Sequence, residues 1–188
     1  MAPRPTPDEL QAARDTVLRD VVGPGLHILL VGINPSLYSA AVGHHFARPG
    51  NRFWKALHAS GFTERVLSPA EDGTLPSRGL GVTNLVARAT AAASELDDDE
   101  LRDGARRLER LVHEHQPAFV AFLGLGAYRV AYGRSGATIG SQPDRIGDAR
   151  VWLLPNTSGL NAHHQLPELT VAFRRLRVAA GLPSMRSR

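Results

Sequence analysis

Runs of consecutive apolar residues recur along the chain and predict its strands. A strand that is covered on both faces shows no polar alternation, and apolar runs of this kind occupy residues 26–31, 118–123 and 151–154. A further short strand is predicted over residues 80–83. Segments with apolar residues at helical spacing lie between these runs. The alternation predicts an α/β fold: a single-domain three-layer sandwich with a mainly parallel central sheet flanked by helices.

Four segments have the pattern of amphipathic helices. The capping box Thr6-Pro7-Asp8-Glu9 predicts the start of the first, which extends to residue 22. Its inward-facing residues are Leu10, Ala13, Val17 and Val21. The other three predicted helices are one that is capped by Asn51 and stops at Gly61, one over residues 94–113 and one over residues 168–180. Residues 62–78 are predicted to be a surface connection, residues 1–182 one domain and residues 183–188 a loose tail.

Composition narrows the class of protein. With 188 residues, 43% of them hydrophobic, the chain can bury a sizeable core without a metal or a disulfide. The absence of cysteine excludes disulfides, Cys-ligated zinc and four-cysteine iron–sulfur clusters. No apolar stretch approaches the roughly 20 residues of a membrane span, and the amino terminus lacks a signal-peptide core, so we expect a cytoplasmic protein.

The charge pattern favours a polyanionic partner without choosing one. The formal net charge is +4, and Lys55 is the single lysine, so nearly all cationic side chains are arginines. The planar guanidinium group suits phosphate, although a compositional bias of the source explains the same pattern equally well.

Several familiar catalytic patterns are missing. Lys55 is not preceded by a glycine-rich phosphate loop, and residues 133–137 fail the nucleophile-elbow pattern at their last position. Gly124-Leu125-Gly126 begins like a dinucleotide fingerprint, but Arg129 stands where the third glycine belongs, so we expect no cofactor. Two adjacent histidine pairs, His44-His45 and His163-His164, are more typical of loop capping or phosphate contact than of a metal site, because sequence neighbours seldom point at one ion.

Two polar segments that follow apolar runs are the most informative feature. Residues 32–36 follow the first predicted strand and residues 156–161 the last. Loops that leave the carboxyl ends of parallel strands share one edge of the sheet, so segments far apart in the sequence can build one site. Asparagine there can orient a water or bind a base edge, whereas a turn asparagine bonding its own backbone explains either loop alone equally well.

Taken together, these segments resemble the mismatch-specific uracil-DNA glycosylase family, bacterial relatives of thymine-DNA glycosylase. The resemblance spans most of the chain. Its motifs are Gly32-Ile33-Asn34-Pro35-Ser36 with Gly43 and Phe46-Ala47, Asn51-Arg52-Phe53-Trp54-Lys55, Gly81-Val82-Thr83-Asn84-Leu85-Val86 and Asn156-Thr157-Ser158-Gly159-Leu160. Three positions depart from the family: Ser36 replaces a common glycine, Thr157 replaces the usual proline and Ala87 stands where relatives often carry an acid.

The resemblance implies a role for each candidate residue. Asn34 would hold the attacking water and Leu160 would be the wedge that enters the base stack. The residues implied to contact the base are Ile33 through its backbone, Phe46 by stacking, Asn84 and Asn156 through their amides, and Ser39 near the pyrimidine 5-position. The residues implied to contact phosphates are Ser158, Gly159, Arg48, Arg52 and His163.

The implied function is a monofunctional DNA glycosylase that acts as a monomer on double-stranded DNA. It would flip and hydrolytically excise uracil, and other damaged pyrimidines, at mismatches. A non-catalytic binding module of the same fold is the alternative, because an amide such as Asn34 is a poor base and Ala87 removes an acid. A small-molecule hydrolase is a third interpretation. The run Asp97-Asp98-Asp99 has two interpretations. Its carboxylates complement the helix dipole, or one of them reaches the site.

Overall fold

The computed structural model describes residues 4–160 and 164–186. Five strands form one sheet in the order β2-β1-β3-β5-β4. They are β1 (Ile28–Gly32), β2 (Leu80–Asn84), β3 (Phe119–Leu123), β4 (Gly140–Ile146) and β5 (Ala149–Leu154). Neighbouring strands are parallel except β4, which runs antiparallel to β5. The predicted α/β fold with a mainly parallel sheet is therefore confirmed.

Helices cover both faces of this sheet. They are α1 (Pro7–Ala12), α2 (Leu37–Val42), α3 (Phe53–Ala59), α4 (Asp98–His115), α5 (Leu125–Tyr132) and α6 (Leu166–Ala179). Helices α3 and α6 pack together on one face, and α4 and α5 on the other. Alternate residues of β1 show why the strand is uniformly apolar: Ile28 and Leu30 join the first core, whereas Leu29 and Val31 join the second.

The strand order alone, without reference to any side chain, indicates where a ligand-binding crevice is expected. From β1 the chain crosses to β2 on one side and then to β3 on the other side of β1. Such a reversal separates the loops that leave the two neighbouring strands and opens a crevice beyond their carboxyl ends. The loops after β1 and β3 therefore flank the position where a ligand is expected.

The first helix is shorter than its periodicity predicts. Its capping box is confirmed, since Thr6 N donates to Glu9 Oε2 at 2.7 Å, but α1 ends at Ala12. Val17, predicted to face inward, is 67% exposed. Val21 instead forms a bridge with Val82 in β2, each N–H donating to the other's carbonyl at 2.9 Å. Pairing with the open edge of β2 thus overrides the helical spacing, since β-branched residues also favour extended backbone.

Three elements were not predicted from the sequence, and their lengths and residues explain why. Helix α2 is only six residues long, α5 is eight, and both are too short for a clear period. Strand β4 contains Gly140 and Pro143 and lies at a sheet edge, which is where proline is tolerated in a strand. Helix α4 starts four residues later than predicted because Asp97 caps it, accepting from Glu100 N at 2.8 Å.

The connection over residues 62–78 is more ordered than predicted. It contains two short 3₁₀ helices, Pro69–Thr74 and Pro76–Arg78, and it buries Leu67, Leu75 and the carboxylate of Asp72.

The last described residues lie against α3. Met185 N donates to Gly61 O at 2.8 Å. The extent of the domain, residues 1–182, and the loose tail stay predictions. Over the part of the chain that the structure describes, no helix is long and apolar enough to span a membrane.

Candidate active site

A cleft of about 760 Å³ lies at the carboxyl ends of β1, β3 and β5. The segment after β1 supplies Ile33, Asn34 and Ser39, and the segment after β5 supplies Asn156 and Ser158. The sequence-based expectation that these two distant segments build one site is confirmed. The remaining predicted residues that line the cleft are Phe46, Arg48, Asn84 and Leu160.

The Asn34 amide is held in one orientation. Its Nδ2 group donates to Thr90 Oγ1 at 2.7 Å and to Arg88 O at 3.1 Å. The Thr90 hydroxyl group donates to Ala92 O at 2.8 Å, so its oxygen acts as the acceptor toward Asn34. Because both N–H groups are committed to acceptors, Oδ1 is the group that remains for a ligand. Asn34 therefore presents a fixed hydrogen-bond acceptor in the cleft.

Two serines build the turn that follows Asn34. Ser36 caps α2 by accepting from Ser39 N at 3.1 Å, which a glycine at this position could not do. The buried Ser39 Oγ accepts from Ser36 Oγ and from Ala47 N, both at 3.1 Å. Ser39 thus ties α2 to the backbone beside Phe46.

Phe46 provides an aromatic surface in the cleft. It adopts a left-handed backbone conformation, with φ of 54°, and its ring stacks on Phe53 with centroids 4.0 Å apart. A Cβ atom on Gly32 would lie 3.2 Å from the Phe46 ring, so the absence of a side chain at Gly32 lets the ring approach β1. The arrangement suits stacking with a planar ligand.

Asn84 ends β2 opposite Gly32 and is buried. Its Nδ2 lies 3.4 Å from Nδ1 of His45, a side chain that is 1% exposed. The other ring nitrogen, His45 Nε2, lies 2.9 Å from Arg19 O. A carbonyl can only accept, so Nε2 carries the proton and Nδ1 is left to accept from Asn84.

Burial lowers the pKa of His45 below its ordinary value and keeps the ring neutral, although Asp72 and Asp20 act in the opposite direction. The carboxylate of Asp72 also accepts from His45 N at 3.0 Å and from the His44 ring at 3.2 Å. His44 and His45 are thus held by contacts within the protein, and whether the pair caps a loop or contacts a phosphate stays a prediction. Among the described residues, no group of three or more acidic or histidine side chains has the arrangement of a metal site.

The segment after β5 folds on itself. Asn156 Oδ1 accepts from Ser158 N at 2.9 Å, and Ser158 Oγ accepts from Leu160 N at 3.3 Å. Thr157 stands where the family that the sequence resembles usually has a proline. It is buried, and its carbonyl accepts from Arg52 N at 3.0 Å. Leu160 is 74% exposed. The asparagine-to-backbone turn is thus present here, and the segment displays a large apolar side chain at its tip.

The predicted phosphate-binding residues have different surroundings. Arg48 is exposed and lines the cleft. The Arg52 guanidinium instead donates to Ser158 O at 2.5 Å and to Gln165 Oε1 at 2.9 Å. Gly159 lies outside the cleft lining, against the backbone of Gly50, and His163 lies outside the described residues.

No carboxylate of the described residues lines the cleft. Asp97 caps α4, while Asp98 and Asp99 pair with Arg102, so the interpretation as helix-dipole complementation is confirmed. Ala87 is also absent from the lining.

Sequence reasoning missed the residues that support the site. Thr90 and the carbonyl of Arg88 hold Asn34, and Gly32 makes room for Asn84 and Phe46. No sequence pattern marks Thr90, because its role comes from a bridge between Ser36 and Thr90 that forms only in the folded chain. The role of Gly32 could have been inferred from the sequence, since a glycine at the end of a buried strand often marks a place where another group approaches the backbone closely.

In the part of the chain that the structure describes, the crevice of this α/β sandwich combines an aromatic face with oriented amides and is lined by no carboxylate, which suits a planar heterocycle with polar edges. The sequence profile of the uracil DNA glycosylase superfamily matches residues 20–177. The chain belongs to this superfamily. Its members are DNA glycosylases of base-excision repair, hydrolases that act on DNA.

Proposed function

We propose that this protein is a monofunctional DNA glycosylase that flips uracil out of double-stranded DNA at mismatches with guanine and hydrolyses its N-glycosidic bond. Other damaged pyrimidines fall within the same proposal. The observation that carries it is the Asn34 amide, whose N–H groups are committed to Thr90 and Arg88 and whose oxygen is left for a water.

Asn34 orients the attacking water in this mechanism. The Oδ1 atom accepts one hydrogen of the water and directs a lone pair at C1′ of the flipped nucleotide. An amide has no useful basicity near neutral pH, so it cannot take the proton as a carboxylate would. We therefore expect slow chemistry, consistent with a cleft that no described carboxylate lines.

The flipped base stacks on Phe46, and Asn84 binds its polar edge. Because Asn84 Nδ2 points at His45 Nδ1, the amide oxygen of Asn84 is left to accept from an N–H of the base. Uracil offers such a group beside its carbonyls, so the orientation supports this substrate. As the glycosidic bond breaks, the base gains negative charge, and donors that reach its oxygens stabilise the transition state most.

Mismatch preference follows from the cost of extrusion. Unstacking and unpairing a nucleotide costs a few kcal/mol and less at a mismatch, as expected for any flipping enzyme. Leu160, 74% exposed at the tip of its loop, is suited to fill the space that the base vacates. The Lys55 side chain is exposed on α3 and does not line the cleft, which supports hydrolysis over a Schiff-base lyase step.

A single-turnover assay tests the proposal directly. Duplexes with uracil opposite guanine or adenine are incubated with excess protein, and alkali then reveals abasic sites. We expect faster release from the guanine mismatch and loss of at least about a hundredfold in rate with Asn34→Ala. Full activity of Asn34→Ala would refute the water-holding role, and binding of uracil DNA without base release would assign the protein to damage recognition instead.

Leu160→Ala tests the wedge separately. Its rate on duplex DNA should fall more than its rate on single-stranded DNA, because only the duplex requires the vacated space to be filled. Equal losses on both substrates would contradict the role of Leu160.

A further inference from the structure

Arg52 connects the two ends of the segment that carries Leu160. Its backbone N–H donates to Thr157 O at 3.0 Å, and its Nη2 donates to Ser158 O at 2.5 Å. Its Nη1 donates to Gln165 Oε1 at 2.9 Å. Thr157 and Ser158 precede Leu160, whereas Gln165 follows it and caps α6. One side chain thus bonds to the chain on both sides of the proposed wedge.

The backbone around Arg52 also packs closely on this segment. A Cβ atom on Gly159 would lie 2.7 Å from Gly50 O, so the two backbones meet directly. Gly50 itself adopts a left-handed conformation, with φ of 85°. The turn before α3 therefore packs directly against the backbone of the residue immediately before Leu160.

The surroundings of Arg52 differ from those of a phosphate-binding arginine. Ser158 O and Gln165 Oε1, which accept from its guanidinium group, are neutral protein groups, and hydrogen bonds from a charged donor to such groups are strong. Arg48, four residues earlier, is exposed, and its guanidinium group makes no hydrogen bond or ion pair with any described residue. Arg48 thus has the surroundings expected of a phosphate contact.

We propose that Arg52 is a positioning residue. It holds residues 157–160, the wedge segment, in the conformation from which Leu160 enters the base stack, and it does so before DNA is bound. The proposal rests on the proposed function, because it acts through Leu160, and it replaces the phosphate contact that the sequence suggested for Arg52. Ordering a loop on binding costs free energy, and a loop that is already ordered avoids that cost. Arg52 therefore promotes extrusion from duplex DNA without touching the DNA.

Three variants separate the two roles of an arginine here. Arg52→Met keeps the apolar stem and removes every guanidinium donor, while Arg52→Lys keeps the charge but cannot reach two separated acceptors in a fixed fork. Arg48→Met is the matched control on the same turn. We expect both Arg52 variants to lower the ratio of duplex to single-strand cleavage rates about tenfold. Recovery of the ratio by Arg52→Lys would overturn the proposal, because charge alone would then suffice.

The salt dependence of duplex binding gives a second readout. Loss of one phosphate contact lowers the slope of log K against log salt by about 0.9. Arg48→Met should show this change and Arg52→Met should not. A matching fall in the slope with Arg52→Met would return Arg52 to the phosphate-binding residues.

A double variant tests whether Arg52 acts through Leu160. In the Leu160→Ala background, Arg52→Met should cost little more, because residues that act as a unit are not additive. Full additivity would contradict the proposal.

Amide hydrogen exchange in the free protein needs no activity at all. We expect faster exchange at residues 157–160 in Arg52→Met than in Arg48→Met. Unchanged exchange would overturn the positioning role, whereas a wild-type protein that released no uracil would refute the proposed function and leave this structural result standing.

Discussion

Thr90 Oγ1 lies 2.7 Å from Asn34 Nδ2 and fixes which end of the Asn34 amide faces the cleft. The contact is possible because Thr90 donates its own hydroxyl proton to Ala92 O. A backbone bridge between Ser36 and Thr90 brings the two segments together. The water-holding role proposed for Asn34 thus depends on a residue far away in the sequence, to which no catalytic step is assigned.

Thr90→Val should therefore slow base release while preserving DNA binding. The substitution keeps the shape of the buried side chain and removes one acceptor, so the Asn34 amide can rotate. We expect a single-turnover rate about tenfold lower, equivalent to about 1.4 kcal/mol. Thr90→Ser, which retains the hydroxyl, is the control and should keep most of the rate. A Thr90→Val enzyme with the wild-type rate would show that Asn34 needs no such support.

Gly32→Ala should damage the base-binding side of the cleft. The new Cβ atom would lie 2.4 Å from Asn84 Oδ1 and 3.2 Å from the Phe46 ring, so both groups must move. We expect a loss of about 1–3 kcal/mol in the free energy of unfolding, together with a lower rate of uracil release. Urea denaturation and the single-turnover assay measure the two effects.

Gly126→Ala is the control for that substitution. Gly126 also lines the cleft, within α5, but a Cβ atom there would meet nothing within 4 Å. Alanine favours a helix over glycine by up to about 1 kcal/mol, so this variant should be as stable as the wild type or more so. Equal damage from both substitutions would mean that the contacts of Gly32 are unimportant.

The strands β1, β2, β3 and β5 were predictable because their burial on both faces leaves a direct mark on the sequence, whereas the edge strand β4 was not predicted. A strand such as β1, packed on both faces, is apolar throughout, and the uninterrupted apolar run over residues 28–31 shows this. The end of α1 was not predictable. Val17 and Val21 have helical spacing, yet Val21 pairs with Val82, and no local pattern reports a partner in a distant strand.

The candidate site divides in the same way. Asn34, Phe46 and Asn156 belong to recognisable motifs, and the structure brings them to one cleft. Their orientation could not be predicted, because it depends on hydrogen bonds from other segments. Arg52 shows the difference most clearly, since its position in a motif suggested a phosphate contact, and no sequence pattern indicated that its guanidinium group donates to Ser158 O and Gln165 Oε1.

Ser36→Ala should destabilise the turn between Asn34 and α2. Ser36 Oγ accepts from Ser39 N and caps the helix, and loss of such a cap costs about 1 kcal/mol. Glycine at a cap position costs only a few tenths of a kcal/mol, so Ser36→Gly should be the milder variant. Chemical denaturation of both proteins measures the difference. The reverse order of stability would mean that the cap contributes nothing here.

His45 should make the protein less stable as the pH falls below about 6.5. Burial lowers the pKa of His45 from its ordinary value of 6.5, so the folded protein resists the proton that the unfolded chain accepts. The unfolded state then binds more protons, and the free energy of unfolding falls with decreasing pH by up to about 1.4 kcal/mol per pH unit. At about pH 7.5 and higher the ring is almost wholly neutral in both states and contributes almost no slope.

The measurement compares urea denaturation of the wild type and of His45→Gln at pH 7.5 and pH 5.5. Glutamine cannot take up a proton in this range, so the variant should lose less stability between the two values. The same protonation matters for the site, because a proton on Nδ1 removes the acceptor for Asn84 Nδ2. Identical losses in the two proteins would show that His45 takes up its proton as easily folded as unfolded.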